Sequence, residues 1–169
     1  MELGIIRSTL LSVVSVTLIS NSAIAFSAAS PIVQFQQIAQ SQIDTEAIEA
    51  SVFQQVNQYR VSQKLPPLTR NAAIDNQARI HSQNMASGKV TFGHNGVEER
   101  LDAIAIPYNG AAENVADIDV RNSATLAVEK WLSSPRHKTN IEGNFNLSGV
   151  GVASNGSKIY VTQIFLESE

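Results

Sequence analysis

Three residues that lie far apart in the sequence, His94, Glu113 and His137, have side chains that could share one chemical task. Neutral imidazole is a good ligand for a divalent ion such as zinc, and a carboxylate can orient an imidazole ring or act as general base on a bound water. The same side chains could instead form a hydrogen-bonded cluster that fastens loops to a sheet. The residue types therefore predict a polar site and leave its chemistry open.

The local settings of these residues differ from that of the remaining histidine. His94 stands in the glycine-bracketed segment FGHNG, Glu113 in the largely apolar AENVA, and His137 just beyond a Ser-Pro junction. Loops on a rigid scaffold commonly carry binding groups, and a carboxylate in apolar surroundings needs hydrogen-bond partners. His81 shares a helical stripe with apolar residues, so we interpret it as a structural residue.

No short catalytic motif accompanies the three residues. The sequence lacks G-x-S-x-G, H-E-x-x-H, a Walker loop and a dinucleotide-binding glycine pattern. Ser133 and Ser134 lie near His137, but we interpret them as residues that end one helix and cap another. Glu113 is therefore the only candidate for a catalytic residue, as a general base.

Composition narrows the class of protein. The chain has 12 Lys and Arg against 15 Asp and Glu, which gives no basic footprint for nucleic acid. It contains no cysteine, so the fold must be stable without disulfides and any metal site must do without thiolates.

The N-terminal residues predict export. One positive charge, the apolar run STLLSVVSVTLIS and an Ala-x-Ala site at Ala23 and Ala25 are typical of a secretory signal peptide over residues 1–25. The apolar run is shorter than the ~20 residues that a membrane span needs, so no permanent anchor is expected. Residues 26–44 predict a linker and residues 45–169 a single domain. The expected location is secreted, periplasmic or in the cell envelope.

Three helices are predicted in the domain from capping residues and helical spacing. The first starts at Asp44-Thr45 and ends before the Pro66-Pro67 pair; the second is capped by Thr69 and ends at Gly88; the third runs from Ser123 to Ser133, before Pro135. A short further segment from Pro135 would carry His137 in its first turn and end at Gly143.

The C-terminal region has the period of β-strands. LSGVGVA and KIYVTQIFL flank Asn155-Gly156, a strong hairpin signal, and AENVADI predicts another strand. The run KIYVTQIFL is apolar on both faces, so both faces must be covered. The expected fold is α+β, a three-layer α-β-α sandwich around a small, mostly antiparallel sheet.

Several ordered motifs resemble the bacterial branch of the CAP superfamily, whose SCP/PR-1-like domain also occurs in plant pathogenesis-related and animal cysteine-rich secretory proteins. They are GHNG, AENVA, AVEKWLSSPRHKTNI, LSGVGVA and VTQIF, and they extend over about residues 52–165. The resemblance implies a secreted α-β-α sandwich, in agreement with the element pattern.

The resemblance also implies a cavity lined by two histidines and two acidic residues. Carried over, the histidines fall on His94 and His137 and the first acidic residue on Glu113. The second acidic position falls on Ser134, so the four-residue set is incomplete here. Glu129 is interpreted as a residue of a solvated helix face. His94 and His137 are the candidate ligands of a divalent metal such as zinc, with modest, pH-dependent affinity.

Three functions remain open at this stage. The favoured hypothesis is a monomeric binding module with a His/Glu-lined cleft, with or without a metal; the family resemblance implies a lipid, glycan or protein as its ligand. The second is a hydrolase that acts outside the cytoplasm, with Glu113 as general base. The third is a structural or adhesive surface protein.

Overall fold

A computed structural model of the protein describes residues 43–120 and 124–169. The predicted signal peptide, almost all of the predicted linker and the predicted start of the third helix at Ser123 lie outside the described residues. None of the helices in the described part is long and apolar enough to cross a membrane.

The helices form where capping residues and apolar spacing favour them. Asp44 caps the first helix by accepting a hydrogen bond from the Ala47 amide, and Asn71 caps the second. Pro135 stands at the start of the last helix, where its missing N–H costs nothing. The helices are α1 (Thr45–Ser62), α2 (Ala72–Ala86), α3 (Val97–Ile104), α4 (Ala124–Ser133) and α5 (Pro135–Glu142).

Four strands form one sheet in the order β1-β3-β4-β2. The central strand β4 pairs antiparallel with both of its neighbours, and the short β1 pairs parallel with β3. Gln163 of β4 is paired with Asn114 of β2 and with Val150 of β3, which fixes the register across the sheet. The strands are β1 (Thr69–Arg70), β2 (Tyr108–Asp119), β3 (Leu147–Ser154) and β4 (Lys158–Ser168).

The two faces of β4 lie in two separate hydrophobic clusters. Ile159, Val161 and Phe165 belong to a cluster shared with α1, α4 and α5. Ile164 and Leu166 point to the other face, into a cluster shared with α2 and α3. Helices therefore cover both faces of the sheet, and the predicted three-layer sandwich is confirmed.

Two glycines of β3 allow α2 to lie directly on the sheet. A Cβ at Gly149 would overlap backbone atoms of Ile74 and Asp75, and one at Gly151 would overlap backbone atoms of Ala78 and Arg79. The two glycines of the LSGVGVA motif are thus required by a helix–strand contact that leaves no room for a side chain.

The structure corrects the expected cap of α2 and shows how the β3–β4 turn closes. Thr69 does not cap α2 but lies in β1, and Asn71 is the cap because its side chain accepts from the amides of Ala73 and Ile74. In the β3–β4 hairpin only Gly156 of the Asn-Gly pair has positive φ (89°). Asn155 instead closes the turn through its side chain.

Helix α3 was not predicted at all. Its apolar residues Val97, Leu101 and Ile104 have helical spacing, and Glu98 and Glu99 lie in its first turn, where the helix dipole favours negative charge. The helix is only eight residues long, which makes its pattern a weak signal.

Candidate functional site

A cavity of about 450 Å³ opens between the loop before α3, strand β2 and the junction of α4 with α5. This volume lies within the range usual for small-molecule sites. Its walls are largely apolar, and their polar side chains are two imidazoles, a lysine, an aspartate and a serine. The lining residues are Phe92, Gly93, His94, Val115, Ala116, Asp117, Lys130, Trp131, Ser134 and His137.

The loop that carries His94 is held in place by a buried histidine of α2. His81 is 1% exposed, and its Nε2 lies 2.8 Å from the carbonyl oxygen of Gly93, to which it donates. Burial lowers the pKa of His81, which keeps the ring neutral and its role structural, as the sequence predicts. Gly93 and Gly96 have φ of 145° and 75°, values that few other residues adopt readily.

Glu113 lies beneath the cavity and is fully engaged by its neighbours. His94 Nδ1 lies 2.9 Å from Glu113 Oε1. Arg100 donates from Nη2 to the same oxygen at 2.9 Å and from Nε to Oε2 at 3.0 Å. The side chains of Glu113 and Arg100 are 2% and 9% exposed, so this is a buried ion pair with bidentate geometry.

His137 reaches the cavity from the first turn of α5. Asn114 of β2 donates from Nδ2 to the His137 carbonyl at 3.0 Å, and Asn140 donates to Asn114 Oδ1 at 2.8 Å, so side-chain amides tie α5 to the sheet. Burial, and secondly the charge of His94, lower the pKa of His137. The ring is therefore neutral at neutral pH.

The far end of α5 is anchored by a buried arginine of α1. Arg60 is 1% exposed and donates to the carbonyls of Ile141 (2.7 Å) and Gly143 (2.9 Å). A cation at a helix C-terminus is favourable because the last carbonyls have no partner within the helix. Arg60 thus holds α5 about one helical turn beyond His137 and so contributes to the position of that residue.

The structure brings some of the predicted site residues to one place and not others. His94, His137 and Ser134 line the same cavity, whereas Glu113 does not line it and contacts His94 from below. Glu129 is exposed on α4 and is not among the lining residues.

Arg100, the partner of Glu113, was missed by the sequence reasoning. The spacing of Val97, Leu101 and Ile104 would have indicated α3. No local pattern, however, indicates that Arg100 meets a strand residue 13 positions later.

The donor set does not fit a resident metal ion held by the protein alone. Zinc sites use three or four protein ligands. The cavity offers His94 Nε2, the ring of His137 and Asp117, whose carboxylate is paired with Lys158. Both oxygens of Glu113 are taken by Arg100. Within residues 43–120 and 124–169, no three His, Cys, Asp or Glu side chains are grouped so that they could hold a metal.

Comparison with known proteins identifies the domain. The family model described as CAP, the cysteine-rich secretory protein family, matches residues 53–165. No curated protein sequence is significantly similar to the chain.

Solved structures share the fold at low sequence identity. An extracellular protein with an SCP domain from Bacillus anthracis is 24% identical (TM-score 0.62), and a cysteine-rich secretory protein from Staphylococcus aureus is 22% identical (TM-score 0.62). They are matched over 73% and 74% of this chain, which spans only 41% and 40% of theirs. An outer surface protein from Borrelia burgdorferi is 17% identical (TM-score 0.66), with 75% of this chain and 97% of that one covered. With a family model that matches most of the domain, and with this fold, the chain belongs to the CAP family of cysteine-rich secretory proteins.

Proposed function

We propose that the protein is an exported binding module that captures a small, largely apolar ligand in the cavity between His94 and His137. The observation that carries the proposal is the cavity itself, in which Phe92, Val115 and Trp131 supply apolar surface and the two imidazoles supply a few directed polar contacts. Apolar walls with a small number of convergent polar groups are typical of small-molecule sites.

Export is part of the proposal. The signal-peptide pattern of residues 1–25 predicts it, and structures with the same fold include proteins described as extracellular or as outer surface proteins. The proposed location is therefore outside the cytoplasm, either secreted or in the cell envelope, and the proposed form is a monomer.

The contacts of Glu113 favour binding over hydrolysis. A general base must reach the proton that it removes. The Glu113 carboxylate is 2% exposed, receives three hydrogen bonds from Arg100 and His94 and lies outside the cavity lining. Ser134 lines the cavity, but no hydrogen bond connects its hydroxyl with His137 within the part of the chain that the structure describes.

Ligand capture can be tested with the purified protein and extracts of lipids and cell-wall material. Bound molecules would be released by denaturation and identified by mass spectrometry. A His94→Ala, His137→Ala double variant would be compared with wild type, and Glu46→Ala, on the exposed first turn of α1, is the matched control.

We expect the wild type and the Glu46→Ala control to retain the same compound and the double variant to lose most of it. Equal retention by the double variant would exclude the cavity as the place of capture. If no compound is retained by any form, a structural or adhesive role becomes the better explanation. A hydrolase would instead turn over an ester, peptide or glycan, and activity that survives Glu113→Gln would exclude Glu113 as its base.

A further inference from the structure

The position of the proton on His94 follows from its neighbours. Glu113 Oε1 receives a hydrogen bond from Arg100 Nη2 at 2.9 Å, and Oε2 receives one from Arg100 Nε at 3.0 Å. A carboxylate in a bidentate pair with a guanidinium is ionised and can only accept. The His94 nitrogen that lies 2.9 Å from this carboxylate, Nδ1, must therefore carry a hydrogen.

The other ring nitrogen of His94 consequently has a free lone pair. In a neutral imidazole with a proton on Nδ1, Nε2 is a hydrogen-bond acceptor. His94 lines the cavity and half of its side chain is exposed, while Glu113 lies outside the lining. Nε2 is the nitrogen directed away from Glu113, so it is the one that a ligand in the cavity can meet.

Arg100 is the residue that fixes this state. Its guanidinium donates to both oxygens of the buried Glu113 carboxylate and so fixes the oxygen that faces His94 Nδ1. Arg100 also donates to the Asn95 carbonyl at 2.7 Å, which ties the loop of His94 to the same guanidinium. Arg100 is thus a positioning residue, which acts on the ligand only through Glu113 and His94.

From these contacts we infer the class of ligand, an inference that rests on the proposed function: an uncharged apolar molecule with one hydroxyl or N–H donor, which bonds to His94 Nε2. The apolar wall of Phe92, Val115 and Trp131 receives the body of the molecule. An ether of the same shape would leave Nε2 without a partner, and an anion would place its charge against the lone pair. Lys130 and Asp117, one charge of each sign, also line the cavity, so an anionic compound is the decisive comparison.

Three compounds of one shape test the inference: 2-naphthol, 2-methoxynaphthalene and 2-naphthoate. Their affinities would be measured at about pH 8, above the ordinary pKa of a histidine side chain, from NMR shifts of the Trp131 indole and the histidine rings. The ring ¹⁵N shifts of His94 in the free protein report its tautomer independently of any ligand.

We expect a protonated-type shift on Nδ1 and an unprotonated-type shift on Nε2, opposite to the tautomer that free histidine prefers in water. We expect 2-naphthol to bind about tenfold more tightly than its methyl ether, since a desolvated acceptor without a partner is costly, and the naphthoate to bind most weakly. In His94→Asn the amide nitrogen retains the donor toward Glu113 but Nε2 is lost, so the preference for 2-naphthol over the ether should disappear while the fold is retained.

The outcomes separate this inference from the proposed function. Equal binding of the alcohol and the ether, tightest binding of the naphthoate, or a proton on Nε2 overturns the inference but leaves a binding cavity. An unchanged preference in His94→Asn overturns it as well. If none of the three compounds shifts the cavity resonances, the inferred class of ligand is wrong. The retention experiment with extracts then shows whether the cavity binds other molecules.

Discussion

Breaking the Arg100–Glu113 pair should destabilise the protein far more than breaking an exposed ion pair. Arg100→Met removes two hydrogen bonds between charged groups, each with a net contribution of about 1.5–3 kcal/mol. Loss of one partner from a buried pair typically costs about 3–5 kcal/mol, because the other charge stays buried and uncompensated. Both routes predict a loss of about 3–5 kcal/mol in the free energy of unfolding.

Urea unfolding of four proteins would measure this effect: wild type, Arg100→Met, Glu113→Gln and the double variant. The double variant should lose less than the sum of the single losses, with a coupling of up to about 3 kcal/mol, because the first substitution already breaks the pair. Lys158→Met is the matched control, since Lys158 and Asp117 form an ion pair whose side chains are 52% and 28% exposed. Its loss should be far smaller than that of Arg100→Met, because solvent screens an exposed ion pair. A loss for Arg100→Met no larger than that of the control, or additive effects of the two substitutions, would refute the assignment of a tightly coupled buried pair.

Three other predictions concern packing, pH and metal. Gly151→Ala should lower the free energy of unfolding by about 3 kcal/mol, because the added Cβ would overlap backbone atoms of α2. Gly88→Ala is the control: Gly88 has a φ of 73° but open space around it, and its loss in urea unfolding should be about 1 kcal/mol. A larger loss for Gly88→Ala than for Gly151→Ala would contradict the helix–strand packing. The folded-state pKa of His81 is lowered, so the unfolded chain binds the proton first and stability should fall as the pH drops below about 6.5, by up to about 1.4 kcal/mol per pH unit. His81→Gln should reduce this slope in pH-dependent melting and leave a smaller one from His137, whose pKa burial also lowers. An unchanged slope would assign the effect to groups other than His81. Zinc should raise the melting temperature only weakly at neutral pH and not at about pH 5, where imidazole is protonated; strong stabilisation that survives loss of both His94 and His137 would point to ligands outside the cavity.

The layered fold was predictable because its signals are local. The apolar residues on both faces of KIYVTQIFL require cover on both sides, and the structure places helices on each face. Capping and proline residues placed the ends of α1, α4 and α5 within a few residues. The short helix α3 was missed because eight residues give a weak periodic signal. The cap at Asn71 was missed because Thr69, two positions earlier, has a side chain that could also cap.

Only those site residues whose type is itself informative could be predicted from the sequence. Histidines in a glycine-rich loop and at a helix junction are conspicuous, and both His94 and His137 line the cavity. Glu113 was expected to line the cavity with them, but it lies outside the lining and contacts His94. Its role depends on Arg100, whose side chain looks, in sequence, like any charged residue of a surface helix.

The sequence by itself determined the order of the longer elements, the two-sided burial of β4 and the residue types at the site, because these depend on side-chain period, turn chemistry and capping within a few positions. Only the tertiary structure decided which carboxylate is neutralised, which nitrogen of His94 faces that carboxylate and which groups line the cavity. Those properties depend on distances of about 3 Å between atoms of α3, β2 and α5, and such distances are set by strand register and helix packing over the whole domain.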